Sequence, residues 1–403
     1  MALPQEIGLL IDIGSEGVST ALAIFPATHE TPVSAPNIPH IVYESFHPAA
    51  LQKESDVNAV IGTMVSTLTQ ALIKVEKEGP TALAFTKLGH QKINKVHITL
   101  SSPWYLSQTK VLKVRKDAPF AVTADFMKNL VELEKKNFRE SLALGPYAAN
   151  FNEKLQVIES KVILTKLNGY ETNKPAGKTA LKVEVALYLS VASEELVKKI
   201  TSEVEKKKPG VPIVFHTFPI VAFSSVRDLP DVPAHFLLVD VGAEMTDIKR
   251  GIAVQTITLP HGKNELLRAI LKYNRAGTEA TSSLLSLYTS GKLDAETKRQ
   301  IQGALTKPTK EWQLALSESL ERLSEDRFIP GAIYLVVEAA AGSLYSNLIS
   351  GQALGHGGSS GTPFSVTLLD HDHIKSQCNI EHEISDDPSL ALEALFINKV
   401  RGQ

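Results

Sequence analysis

Residues Gly8–Phe25 read GLLIDIGSEGVSTALAIF, and residues Phe236–Val254 read FLLVDVGAEMTDIKRGIAV. Each is an apolar, β-branched run that reaches Asp-x-Gly, breaks at a short polar turn and resumes as a second strand-like run. Such a run suits a strand buried on both faces. Its glycine permits a tight hairpin whose backbone N–H groups can face an anion. The aspartate at the strand end can hold a metal-bound water or orient an attacking one. A single Asp-x-Gly is commonly just a turn, so one copy says little. Two copies in separate halves of one chain, the second continuing into Thr246-Asp247, carry more weight.

Of 403 residues, 43% are hydrophobic and 21% charged, which suits a folded chain of about two to four compact units. The net charge of −2 gives no general attraction to nucleic acid or to an anionic membrane surface. Cys378 is the only cysteine, so no disulfide framework forms within the chain, in keeping with a reducing cytoplasm. The opening MALPQEIGLLIDIG has neither the basic start nor the small-residue cleavage site of a signal peptide. No apolar stretch reaches the roughly 18–20 residues that span a bilayer. The nearest, Ala332–Ala341, is short and carries Glu338. Membrane association is therefore expected through a partner or a surface helix.

Outward from the first hairpin, Pro26–Ser55 is proline-rich, with one strand-like piece at His40–Tyr43. The spacing of Val57, Val60, Ile61, Met64, Leu68, Leu72 and Val75 predicts a helix over Val57–Lys77, ended by Gly79-Pro80. Lys95–Leu100 reads as a strand. The middle of the chain differs in character. Strands at Lys110–Val114, Gln156–Leu164 and Lys182–Val191 accompany a helix capped by Thr123 and a turn at Asn168-Gly169. Ser193 with Glu194 and Glu195 starts a further helix. Beyond the second hairpin, Pro260-His261-Gly262-Lys263-Asn264 leads into a helix from Glu265. Ala276–Arg327 reads as helix broken by Gly291 and Pro308, and Ala332–Val337 as a buried strand. Ser343–Ile349 reads as a helix start and Gly355–Gly361 (GHGGSSG) as a loop. Asp387–Val400 reads as a short helix with Pro388 at its first position.

This order of hairpin, inserted α/β block, hairpin, Pro-x-Gly-x-Asn helix and late apolar strand resembles the actin-like ATPase superfamily. Three segments narrow the likeness: VHITLSSPWY (Val96–Tyr105), the return from the insertion (Val185–Leu229), and LVDVGAEMTDIKRGIAVQTITLPHGKNELLRAI (Leu238–Ile270). They resemble the FtsA/PilM family of bacterial cell-division and type IV pilus assembly scaffolds. The resemblance implies an α/β, two-lobed actin-like fold (a ribonuclease-H-like unit, duplicated) with a small inserted α/β subdomain. Residues 1–108 would form the first lobe, 109–192 the insertion, 193–233 the return, and 234–403 the second lobe. Asp12 and Asp240 would face each other across the cleft and hold Mg²⁺ through water. Gly14 and Ser15 from one lobe, with Gly242, Thr246 and Asp247 from the other, would meet the phosphates of ATP. Gly262 would lie in the connection beside the nucleotide, and Glu338–Gly342 would be the adenosine loop. The implied role is a scaffold at the inner face of a membrane, with weak or absent ATPase activity. Its partners would be cytoplasmic segments of division or pilus membrane proteins, with self-association possible, without nucleic acid and without direct membrane insertion. The alternatives are a nucleotide-free structural scaffold and a small-molecule kinase of the same superfamily.

Several residues depart from the family pattern. After the second Asp-x, the family carries Gly-Gly-Gly or a close variant, whereas this chain has Gly242-Ala243-Glu244. Glu16 and Glu244 place a carboxylate in each loop, which repels phosphate if turned inward and is harmless if turned outward. The adenosine segment VVEAAAGSL holds one glycine, Gly342. Asp370-His371-Asp372-His373 invites a metal reading, but on a strand the pairs would alternate to opposite faces, so a solvated strand end fits better, and nearby His382 does not rescue the metal. The lysines at 206–208 suit a helix C-terminus. In the tail, Leu390, Leu395, Phe396 and Val400 are offset by Asp386, Asp387 and Glu393, a poor membrane anchor. A helix packed on the body, or a partner-docking tail, is expected instead.

Overall fold

Both quoted stretches form the same hairpin in the same place within two sheets of one strand order. The computed structural model describes residues 5–27, 38–49, 57–86, 91–144, 154–250, 255–274, 278–324, 329–352, 363–381 and 387–401. The Gly355–Gly361 loop and His382 lie outside the described residues. The chain begins with β1 (Glu6–Ile13), β2 (Gly17–Phe25), β3 (His40–Pro48), α1 (Val57–Ala84) and β4 (Lys95–Leu100). There follow β5 (Leu106–Val122), α2 (Ala124–Leu144), β6 (Leu155–Leu167), β7 (Tyr170–Glu171) and β8 (Lys178–Ser193). Next come α3 (Glu194–Lys207), β9 (Ile213–Thr217) and α4 (Phe218–Arg227). The second half holds β10 (Leu237–Val241), β11 (Thr246–Arg250), β12 (Gln255–Leu259), α5 (Lys263–Asn274), α6 (Thr278–Thr289) and α7 (Ala295–Ser324). It closes with β13 (Ala332–Val337), α8 (Ala339–Ser350), β14 (Ser365–Leu368), α9 (His371–Ile374), β15 (Asn379–Ile380) and α10 (Ser389–Val400).

One sheet runs β15-β3-β2-β1-β4-β9 and the other β12-β11-β10-β13-β14. Apart from the edge strand β15, the two match position for position. In each, the first two pairings are antiparallel and the next two parallel. β1 is buried on both faces, as its unbroken apolar run requires. Ile7, Leu9, Ile11 and Ile13 pack with Met64, Leu68 and Leu72 of α1, while Leu10 packs with α4 and α10. Each such side chain contributes roughly 1.5–3 kcal/mol on burial. A third sheet, β5-β8-β6-β7, with α2 across it, is inserted between β4 and β9 of the first lobe. Its local signals hold. Thr123 Oγ1 accepts from the Phe126 N–H at 3.0 Å, and Ser193 Oγ accepts from the Leu196 N–H at 3.3 Å, each capping a helix. Asn168 and Gly169 both take positive φ, 52° and 91°, at the β6–β7 hairpin.

Four local expectations give way to tertiary packing. Helix α1 runs through Gly79-Pro80 to Ala84; an internal proline costs about 3 kcal/mol, but Leu83 beyond it is buried in the first-lobe core. Pro308 likewise lies inside α7, where Leu305, Trp312, Leu316 and Leu320 bury one continuous face. Helix α8 starts at Ala339, so the segment Glu338–Gly342 is a helix start rather than an open loop. Asp370–His373 is a helical turn, not a strand. Asp370 caps it, accepting from the His373 N–H at 3.2 Å and pairing with His373 Nδ1 at 2.7 Å. The chain also crosses back: β15 pairs with β3, and α10 packs against β1 and α4. β15 and α10 therefore join the first lobe, whereas the sequence division assigned 234–403 to the second. The apolar residues of α10 circle the helix, so it is covered on several sides, by α4 and by β1, β2 and β3.

Candidate functional site

The two hairpins are geometric copies. Asp12 stands opposite Ser19 and Asp240 opposite Asp247 at equivalent ladder positions. The Gly14 N–H donates to the Gly17 carbonyl at 3.0 Å, and the Gly242 N–H to the Met245 carbonyl at 2.9 Å. The tips meet at the centre of the molecule, where Asp12, Gly14, Ser15, Asp240, Gly242 and Asp247 line one cleft together with Glu16, Glu338 and Asp387. The other expected residues stand behind this lining. Thr246 is buried, donating to the His261 carbonyl at 2.7 Å and accepting from Trp312 Nε1 at 3.0 Å. Gly262 brings the start of α5 against hairpin two, and a Cβ there would lie 2.4 Å from the Ala243 carbonyl oxygen. Close approach is thus supplied at Gly262, and Ala243 needs none of the freedom its position suggests. Gly342 is inside α8, facing Leu368 of β14.

Several polar groups of the cleft are already hydrogen-bonded within the protein. Ser15 Oγ accepts from the Glu244 N–H at 3.2 Å, joining the two hairpin tips directly. Asp247 accepts from three hydroxyls: Ser102 at 2.8 Å, Tyr105 at 2.7 Å and Thr258 at 2.6 Å. The N–H groups of Lys263 and Asn264, at the start of α5, donate to the Gly242 and Ala243 carbonyls at 3.0 and 2.7 Å. Glu16 and Glu244, the two loop carboxylates, each face a cation. Glu16 pairs with Lys263 Nζ at 2.5 Å, and Glu244 with Arg268 at 2.5 Å and Asn264 Nδ2 at 2.7 Å. Lys263 also pairs with Glu338. Asp240 is paired with Lys249 Nζ at 3.0 Å. That lysine is fully buried on β11, with its ammonium 4.8 Å from the centre of the Phe218 ring.

The charges behind these pairs are acidic. Burial, then Asp387, Asp240 and Glu16, hold the Asp12 carboxyl well above the usual carboxylate range against the opposing Ser101 hydrogen bond. Burial raises Asp240 to about 6 despite Lys249. Burial and Glu16 raise Asp387. Lys263 is driven the other way: burial favours its neutral form, but Glu16 and Glu338 more than offset this and hold it protonated. The sequence reading passed over Lys263, Lys249, Asp387 and Tyr105. The one available signal was a cation directly after Gly262 in a chain carrying unexplained carboxylates in both loops.

In this arrangement the protein's own groups take up part of what a magnesium nucleotide would use. A triphosphate needs free backbone donors and a hard cation between carboxylates. Here the Gly14, Gly242 and Glu244 N–H groups are already bonded, and Asp240 already holds an ammonium. The space left between the tips is about 50 Å³, against the roughly 300–1,000 Å³ of small-molecule pockets. Among the described residues no cluster of His, Cys, Asp and Glu is arranged to hold a metal ion, the Asp370–His373 turn included.

No known family model matches the sequence, and no curated protein matches it. Solved structures do match in fold. A chain of a PilM–PilN type IV pilus biogenesis complex superposes with a TM-score of 0.61 at 16% identity, covering 97% of this chain and 98% of that one. A Bacteroides thetaiotaomicron protein with an actin-like ATPase fold gives 0.42 at 10% identity over 98% and 96% of the two chains. The cytoplasmic domain of EpsL, an inner-membrane component of the Vibrio cholerae type II secretion system, gives 0.33 at 7% identity over 99% and 96%. The last two are too distant to support any further comparison. The duplicated strand order, the paired Asp-x-Gly hairpins and the end-to-end likeness to the first structure lead to one conclusion: this chain has the two-lobed actin-like fold, with a small α/β subdomain inserted into its first lobe.

Proposed function

We propose that this protein is a scaffold of a membrane-associated assembly of the type IV pilus kind, held at the inner face of the membrane by the cytoplasmic segment of a membrane protein. The observation that carries this reading is the whole-length likeness in fold to a chain of the PilM–PilN complex. Two features of the chain agree with recruitment through a partner. Among the described residues no helix is long and apolar enough to cross a membrane. The apolar side of α10 is spent on the body, where Leu390, Leu392, Phe396 and Ile397 are buried, and is not free to enter a lipid surface. An open groove of about 710 Å³ runs between α3, β9 and the inserted sheet, with Val197, Thr201, Val211, Pro212 and Phe215 in its walls. With Gln156 and Glu205 also in its lining, it offers a short partner segment both apolar and polar contacts.

The test is co-sedimentation of the full chain with inverted membrane vesicles from its own source cell, beside protein-free liposomes of the same lipids. Binding to native vesicles alone is expected, abolished by protease treatment of the vesicles and weakened by Thr201→Arg. Equal binding to protein-free liposomes, or none to native vesicles, overturns the reading.

A further inference from the structure

We infer that the two lobes are held closed by the protein's own ion pairs, with lysine ammonium groups standing where this fold would otherwise place a magnesium nucleotide. Beside the Ser102 and Tyr105 hydrogen bonds to Asp247, the charged part of the junction has three components. Lys263, 9% exposed at its side chain, bridges Glu16 of the first-lobe hairpin and Glu338 at the start of α8. It thereby ties both lobes at the mouth of the cleft. Lys249 neutralises Asp240 from within the second hairpin, where a cation would otherwise be required. Arg268 and Asn264 draw Glu244 back toward α5, which leaves the Glu244 N–H to bond Ser15 of the opposite lobe.

The three parts depend on one another chemically. Glu16, Glu244 and Glu338 would each burden a phosphate site, and each is matched by a cation from α5, Lys263 or Arg268. A carboxylate introduced alone into this cleft repels ligand and neighbour alike. Introduced with a facing lysine, it forms an ion pair whose Coulomb attraction offsets the cost of taking the two charges from water, and removing either partner leaves the other uncompensated. The cleft thus exchanges a removable ligand for fixed charges. Closure becomes a permanent property of the chain, sensitive to the charge at residue 263 and insensitive to nucleotide.

The experiment uses the full chain carrying fluorescent labels at Gln70→Cys on α1 and Gln302→Cys on α7, both exposed positions in different lobes. The native Cys378 is buried. Energy transfer in this protein is expected to be unchanged by millimolar Mg-ATP, with no heat of binding in calorimetry. Lys263→Met is expected to lose the short-distance population, and Lys263→Arg to retain it. Should Lys263→Met fail to fold, as judged by circular dichroism, the double variant Glu16→Gln with Glu338→Gln takes its place and is expected to open in the same way. Saturable Mg-ATP binding by the unmutated cleft overturns the inference, as does a folded variant that stays closed without the tie. Neither result bears on recruitment to vesicles, so the two readings fail separately.

Discussion

At the scale of single residues, the centre of the molecule holds several carboxyl groups whose ionisation is opposed by burial. Glu393 of α10 is fully buried beside Thr99 of β4, whose hydroxyl opposes the rise of its carboxyl. Burial, then Asp12 and Asp387, push it well above the usual range. The groups facing this pair are Asp387, Glu16 and, across the cleft, Asp240 with its partner Lys249. Raised carboxyl values fix the sign of the pH dependence. The folded chain holds these protons more tightly than the unfolded one, so their contribution is complete below the unfolded values near 4 and is lost as pH rises toward the folded ones. Glu393→Gln is therefore expected to raise the thermal midpoint at about pH 8 and to change it little at about pH 4, as read by calorimetric scans across that range. Lys249 works in the opposite sense. Lys249→Met strands Asp240 in a dry site and is expected to cost about 3–5 kcal/mol in urea unfolding. Adding Asp240→Asn to it is expected to recover much of that loss, because the uncompensated charge is then gone.

At the scale of elements, the informative cases are helices whose sequence signals argued for an earlier stop. Pro80 is exposed on α1, one turn before its end, while Leu83 after it is buried. The last turn is held by packing against an unfavourable backbone position. Pro80→Ala is expected to stabilise the protein by up to about 3 kcal/mol, measured by denaturant midpoint, since the new residue restores an N–H donor and touches nothing else. Helix α5 shows the converse, a backbone signal the sequence did carry. Glycine at 262 is required because the first turn of α5 abuts the Ala243 carbonyl, and Pro-x-Gly-x-Asn correctly marked that junction. The strands were legible for a different reason. β1, β10 and β13 are largely apolar runs in the interior of their sheets, and that environment writes itself into consecutive residues. β5 was legible only in part. It extends over Leu106–Val122 and is largely exposed, so its residues alternate without an apolar signature.

At the scale of the whole molecule, the insertion is tied to the first lobe by a buried polar network rather than by apolar packing alone. Glu159 of β6 accepts from the Thr217 N–H at 2.8 Å and its hydroxyl at 2.6 Å, and meets His216 Nδ1 at 3.2 Å. His216 stacks on His97 of β4, and Tyr188 of β8 shares the Thr217 hydroxyl at 2.7 Å. Burial opposes the Glu159 charge, but His216, Lys161 and Thr217 hold its carboxyl below the usual range. Burial, with His216 and the nearby lysines, lowers His97 to about 3. Glu159→Gln is expected to loosen this joint. Hydrogen exchange should rise along β6 and β8 while β10 and β13 stay protected, and uniform protection throughout would contradict the assignment. The sequence by itself determined the two copies of the hairpin and the block of strands between them, because strands buried on both faces and glycine-bearing turns are set by neighbours a few residues away. Tertiary structure alone decided what the cleft does with its charges. Lys263 reaches Glu16 across 247 residues of sequence and Glu338 across 75. An ion pair depends on distance through space and on the water excluded around it. Neither is written in the order of the chain, so residues that read as obstacles to a phosphate prove to be the two ends of a tie.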